Sequence, residues 1–243
     1  MSGHLSCLAF VPSKARSRRL PCKNMIPLCG KPMLGHTLDS LRVSGVITDI
    51  VVSTEDSRTA EFALSHPNVS VDDRPMPLTE DHVTVWQVLK DYLLRIQKQN
   101  KTYDLIGIFL ATCPLRSAED IRQSVQRLNE TVDAVVSITS YAFPPQLALK
   151  QDSHGLLQSA DPSSPYQKGK TTSQLYEKLW RPNGAIYLTR WNHFLKHGNF
   201  FTGKVRAYEM PRERSIDVDE AFDLKYAESY LLTHPEQEAV ARS

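Results

Sequence analysis

The stretch "LSCLAFVPSKARSRRLPCKNMIPLCGKPMLGHTLDSLRVSG", Leu5 to Gly45, decides how the chain folds. Its apolar opening, Leu5 to Val11, ends in Pro12 and suits a buried strand feeding a loop. Its close has Pro32 where a first helical turn tolerates proline, Leu34, Leu38 and Leu41 at helical spacing, and Gly45 as a stop. Between them lie Lys14, Arg16, Arg18, Arg19, Lys23 and Lys31, with no acidic residue until Asp39. A strand, a cationic loop and a helix in that order begin an α/β sheet, whose ligands bind beyond the carboxyl ends of the strands.

The loop carries neither GxxxxGK[ST] nor GxGxxG, so it is neither a P-loop nor a dinucleotide fingerprint. Backbone amides at a helix start, helped by Lys and Arg, still hold phosphate well, and a triphosphate is the obvious guest. From spacing alone, a solvated basic loop or a nucleic-acid patch is the competing reading. Charge weighs against the latter. With 29 Lys plus Arg against 27 Asp plus Glu, the positive charge is local rather than general.

Downstream, strand and helix patterns alternate. "VITDIVVST" and "VSV" read as strands around a short helix, "SRTAEFALS", and "HVTVWQVLKDYLLRIQK" as a longer helix with Val85, Val88, Leu89, Tyr92, Leu93 and Ile96 on one side. "DLIGIFLA" and "DAVVSITS" are further strands, separated by a helix that Ser117 can cap with Asp120 three residues on. Such a pattern predicts a mostly parallel sheet covered on both faces. After Ser140 the alternation weakens into a Pro- and Ser-bearing excursion. "NGAIYLTR", a short helix after Trp191, the strand-like "KVRAYEMP" and a last amphipathic helix complete the chain.

At 243 residues the chain suits one sizeable domain with an excursion, burying roughly 70 to 75% of its unfolded surface. Cys7, Cys22, Cys29 and Cys113 form no CxxC pair and stand with no His cluster, which predicts reduced thiols and no zinc. The first ten residues have no signal-peptide pattern and no later stretch approaches about 18 apolar residues, so a cytoplasmic protein without membrane contact is expected.

A second constellation is "SIDVDEAFD", Ser215 to Asp223. If this stretch is extended, Asp217 and Asp219 project from one face and can grip a hard cation such as Mg²⁺; an acidic helix start capped by Asp219 or Glu220 is the alternative. Asn183 and Gly184 in "RPNGAIY" stand where a turn would demand them.

Taken in order, "SRRLPCKN", "GKPMLGHTL", "VVSTED", "RPMPLTED", "TCPLRSAEDI", "RPNGAIY", "NFF" and "SIDVDEAFDLKYAE" resemble the acylneuraminate cytidylyltransferases, over roughly residues 5 to 230. That resemblance implies a Rossmann-like α/β nucleotidyltransferase and a homodimer, with residues of about 141–182 and 191–210 forming a dimerisation and sugar-site excursion. It implies attack by the anomeric 2-hydroxyl of a nonulosonic acid on the α-phosphorus of CTP, giving a CMP-sugar and pyrophosphate. Lys14, Ser17, Arg18 and Lys23 would then hold the triphosphate, Asn24 the ribose and α-phosphate region, and Arg74 the cytosine. Asp217 and Asp219 match the metal pair, with Mg²⁺ as the expected ion. Catalysis would fall to Lys23, Arg18 and Asp217. Arg181, Tyr187, Phe200 and Phe201 match sugar-site positions, the two Phe from the partner subunit, while Arg116 is expected to serve structure.

The chain departs from the family's pattern in two places. Ser13-Lys14 and Ser17-Arg18 exchange Lys and Arg relative to relatives, which rearranges phosphate contacts rather than removing them. Leu110 replaces a substrate-contacting Gln, and Leu147 stands near the place of a sugar-facing Lys. Losing polar groups there points to a legionaminic- or pseudaminic-type sugar, or another 2-keto acid, with apolar substituents in place of hydroxyls. A Kdo-like acid as acceptor, or a catalytically silent nucleotide-binding protein, are the alternatives.

Overall fold

The computed structural model describes residues 5–16, 19–160, 169, 172 and 176–235. In chain order these form β1 (Cys7–Pro12), β2 (Pro27–Leu28), β3 (Lys31–Pro32), α1 (Met33–Ser44), β4 (Asp49–Thr54), α2 (Ser57–Leu64), β5 (Val69–Asp73), α3 (Val85–Gln97), β6 (Leu105–Ile108), α4 (Ala118–Arg127), β7 (Ala134–Ser140), β8 (Leu149–Gln151), β9 (Leu157–Ser159), β10 (Trp180–Arg190), α5 (Trp191–His197), β11 (Val205–Glu209) and α6 (Ala221–Thr233). Among the described residues, seven strands make one sheet in the order β11-β7-β10-β6-β1-β4-β5. Pairing is parallel except along β10, which runs antiparallel to both β6 and β7. The expected mostly parallel α/β sheet is what forms.

The two-residue period of β1 divides the core. Cys7, Ala9 and Val11 join Leu34, Leu38 and Leu41 of α1 and Ile121 of α4 on one face. Leu8 and Phe10 join Val88, Leu89 and Leu93 of α3 and Phe194 of α5 on the other. A strand buried on both sides must be apolar throughout, which is why its sequence reads as a continuous run. Pro32 sits one position earlier than expected, as the N-cap of α1, and Gly45 ends that helix at φ 68°. Ser117 and Asp120 form the capping box read from the sequence.

Residues 191–210 differ from expectation. The resemblance implies that they belong to the excursion, yet β11 pairs with β7 at the sheet edge, and Trp191, Phe194 and Phe200 fill the core beneath α3. Apolar burial at that spacing makes the segment part of the main layers. Within 141–182, the short hairpin β8–β9 does stand apart from the sheet.

Asp120 joins this scaffold to the site-bearing segment. It accepts from the Ser117 amide and hydroxyl, from Tyr208 Oη at 2.8 Å, and from both terminal nitrogens of Arg214. Burial alone would raise the Asp120 carboxyl, but Arg214 and these donors outweigh it and hold the group below the usual carboxylate range. A depressed folded-state value means the stabilisation is present above the ordinary pKa of about 3.9 and is lost as pH falls below it. Replacing Arg214 by Met leaves a buried unpaired carboxylate, and urea denaturation at neutral pH should show a loss of about 3 kcal/mol. An unchanged midpoint would mean the pair contributes nothing.

Candidate active site

The carboxyl ends of β1, β4, β5 and β6 deliver Lys14, Glu55, Arg74 and Leu110 to one edge of the sheet. Because β10 runs the other way, its opening residues, Arg181 to Gly184, arrive at this same edge. A cleft of about 300 Å³ opens there, lined by Lys14, Arg16, Lys23, Asn24, Arg74, Leu110, Thr112 and Asp217, with Leu78, Val83, Val85 and Val88 as an apolar wall. Lys14, Lys23, Asn24, Arg74, Leu110 and Asp217, all singled out in the sequence, line this one cleft. Ser17 and Arg18 lie outside the described residues.

Lys14 and Lys23 of the cleft, and Arg19 beside it, have internal partners. Lys14 Nζ bonds Asp81 Oδ1 at 2.8 Å, Lys23 Nζ bonds Asp219 Oδ1 at 2.8 Å, and Arg19 Nη2 bonds Asp219 Oδ2 at 2.6 Å. Asn24, buried, donates from Nδ2 to the Lys14 carbonyl at 3.3 Å and braces the loop across its width. Arg74, also buried, donates from Nε to Ser53 Oγ at 3.2 Å and from Nη2 to the Ser53 carbonyl at 2.7 Å. Burial lowers its guanidinium from the ordinary value, while Glu55 and Asp72 support its charge.

Asp217 and Asp219 flank Val218, which is fully buried against Leu28, Leu115 and Leu231, while its amide donates to the Thr112 carbonyl at 2.8 Å. The segment from Ile216 to Asp219 is neither helix nor strand and does not join the sheet. Asp217 is hydrogen-bonded by the Thr112 side chain, and its carboxyl is raised, first by burial and then by the charge of Asp219, against Lys23 and Arg181. Its Oδ1 is buried with no hydrogen-bond partner. A buried, unpartnered carboxylate oxygen facing a second carboxylate calls for a cation, so Asp217 and Asp219 fit a hard divalent ion such as Mg²⁺. Among the described residues no group of three or more His, Cys, Asp or Glu side chains is gathered for a metal. A two-carboxylate site of the Mg²⁺ type, completed by phosphate and water oxygens, needs no third. The alternative of a cap belongs to Glu220: Asp223 Oδ2 accepts from the Glu220 and Asp219 amides, so Asp219 keeps its own carboxylate for the cleft.

Asn183 and Gly184 do not make a simple turn. They form a bulge in β10. Asn183 Oδ1 accepts from Ser137 Oγ at 2.6 Å and from the Ala185 amide, and its Nδ2 donates to Ser215 Oγ at 2.9 Å. This buried amide ties "RPNGAIY" to "SIDVD". Gly184 has φ 81°, and a Cβ there would stand 3.1 Å from Cys113 Sγ and 3.2 Å from Leu110 Cδ1. Arg116 is structural as expected: it donates to the Ala185 and Leu110 carbonyls and to Thr37 Oγ1, and burial pushes it down to about 10.

The aromatic positions divide. Tyr187 is half-buried, its phenol pushed up to about 12 by burial and by Cys113 and Asp217, so it stays a neutral hydroxyl. Phe201, 49% exposed, lies with Tyr187 and Trp86 in an aromatic group. Phe200 is a correction: at 0% exposure it is packed on Trp86, Tyr187 and Phe194 of its own chain, and its ring reaches neither solvent nor a second subunit. Leu147 is likewise buried, at 2% exposure. Arg181 donates to the Pro182 carbonyl at 3.3 Å and acts electrostatically on Asp217. Glu55, Thr112 and Trp86 are the contributors that motif reading missed, because each is tied to the site by tertiary contact alone.

A cationic loop and the Asp217 carboxylate at one cleft on the carboxyl edge of a mostly parallel sheet are the arrangement of a nucleotide-handling α/β protein. The family model described as "Cytidylyltransferase" matches residues 8–242, and the chain belongs to that family. It is 32% identical over 230 residues, 92% of its length, to an N-acylneuraminate cytidylyltransferase of Streptococcus agalactiae serotype V, and spans about half (53%) of that longer relative. It is 28% identical to a CMP-N,N'-diacetyllegionaminic acid synthase of Legionella pneumophila, covering 92% of this chain and 95% of that one. Its fold is that of a solved CMP:2-keto-3-deoxy-manno-octonic acid synthetase complexed with CTP, at TM-score 0.65 and 16% identity, covering 95% and 99% of the two chains.

Gly184→Ala is expected to lower stability by about 1 to 3 kcal/mol from backbone strain and to push on Leu110 and Cys113. Thermal unfolding of that variant checks it, and an unshifted transition would show that the bulge relaxes freely.

Proposed function

We propose that this chain transfers CMP from CTP to the anomeric 2-hydroxyl of a nonulosonic acid and releases pyrophosphate. The observation that carries the reading is a cleft lined by both Lys23 and Asp217, with Asp217 Oδ1 unpartnered and Lys23 held by Asp219 from outside the lining. Displacement at phosphorus depends on positioning and on neutralising charge, which this arrangement supplies. Lys14, Arg16 and Lys23 would hold the triphosphate, with Ser17 and Arg18 in the same loop, Asn24 at the ribose and Arg74 at the base. Asp217 and Asp219 would hold Mg²⁺, which when bound offsets the charge on the leaving pyrophosphate. The raised carboxyl of Asp217 suits it to accept the proton of the attacking hydroxyl.

For the acceptor, Arg181 supplies a fork for a sugar carboxylate, and Tyr187 and Phe201 supply a wall. Leu110 in the cleft offers no polar partner, which supports an acceptor with apolar substituents, of the legionaminic or pseudaminic type. A homodimer fits the excursion, whose Phe143, Leu149, Leu156 and Leu157 are exposed. Among the described residues no helix is long and apolar enough to cross a membrane.

Pyrophosphate release from CTP, Mg²⁺ and a panel of nonulosonic acids, with Kdo included, tests the reading. Asp217→Asn should lower turnover by at least about 100-fold with the circular dichroism unchanged; a near-wild-type rate removes Asp217 from the chemistry.

A further inference from the structure

Glu55 follows the last residue of β4, at the sheet edge where the cleft opens. Its Oε1 accepts the Ala15 amide at 2.9 Å and so anchors the cationic loop between Lys14 and Arg16. Its Oε2 is buried and has no hydrogen-bond partner among the described residues. A carboxylate oxygen withheld from water needs a donor, and none is supplied among the described residues. Arg74 stands close enough for the two charges to support one another. A side chamber of about 240 Å³ lies against Glu55, Met76 and Thr79, and shares Lys14, Arg16 and Glu80 with the main cleft.

A carboxylate beside a guanidinium is an acceptor beside a donor. Cytosine presents the complement, an exocyclic amino donor next to ring nitrogen and carbonyl acceptors, and carboxylates accept from that amino group. Uracil presents a carbonyl in the amino group's place, which an ionised carboxylate repels. The thioether of Met76, 70% exposed at the chamber, gives an adaptable apolar surface for the face of a base.

We propose that Glu55 is the base-selecting residue: its Oε2 accepts the exocyclic amino group of cytosine and so sets CTP apart from UTP. This rests on the nucleotide reading above. Glu55→Gln is the informative variant, because it keeps the shape and one carbonyl oxygen for the Ala15 amide while turning an amino group toward the base. Calorimetry with CTP, UTP and inorganic tripolyphosphate on the full chain reads it. The wild type should prefer CTP, and Glu55→Gln should narrow the CTP-to-UTP affinity ratio by about tenfold or more with tripolyphosphate affinity unchanged. If the variant weakens all three ligands alike and keeps the ratio, Glu55 only anchors the loop and the proposal is overturned. A wild-type protein that binds CTP and UTP equally would contradict the nucleotide reading itself, before any variant is made.

Discussion

The Lys23–Asp219 ion pair, 2.8 Å long, joins residues almost 200 positions apart and closes the cleft. It is half-exposed, so its direct contribution to stability is small. Its consequence is geometric. The loop after β1 and the segment before α6 meet there, and Arg19 reinforces the contact from the loop side. On the proposed reading both partners must change company during the reaction, Lys23 to a phosphate oxygen and Asp219 to a cation. On that reading the protein's own charges stand where ligands of the same charges would bind.

What makes that meeting possible lies deeper. Asn183 and Ser215 are bonded inside the protein, and Asp120 holds Arg214, so the strand bulge and helix α4 together fix the residues just before Asp217. Val218 then serves as a pin between the two carboxylates, driven inward by burial while its neighbours face the cleft. Each part would be unremarkable alone. Buried amides and ion pairs of this kind specify one arrangement when every polar group in them is satisfied.

The fold was legible because its strands are buried on both faces and its helices carry one apolar side, patterns that a one-dimensional text preserves. The basic loop that carries Lys14 and Lys23 was legible for the same reason, since a parallel sheet sends the end of β1 to the ligand edge, whereas Arg74 and Leu110 were singled out only through the resemblance. Phe200 was not. A Phe beside a glycine-bounded turn reads equally as a contact for a partner or as core, and only the packing of Trp86, Tyr187 and Phe194 decides it. For residues 191–210 the local pattern, a short helix and then a strand, was the better guide than the resemblance, because the strand pairs at the sheet edge. Glu55 and Thr112 fall inside the quoted "VVSTED" and "TCPLRSAEDI", but nothing local singles out their side chains; their contacts are made at long range in the chain.

The most direct measurement is CTP affinity by calorimetry, with and without Mg²⁺, for the wild type and for Asp219→Asn. If Asp219 both restrains Lys23 and serves the cation, the variant should bind CTP without metal at least as tightly as the wild type and lose the tightening that Mg²⁺ gives. A variant that binds metal-free CTP more weakly, or that keeps the full Mg²⁺ effect, would contradict the account.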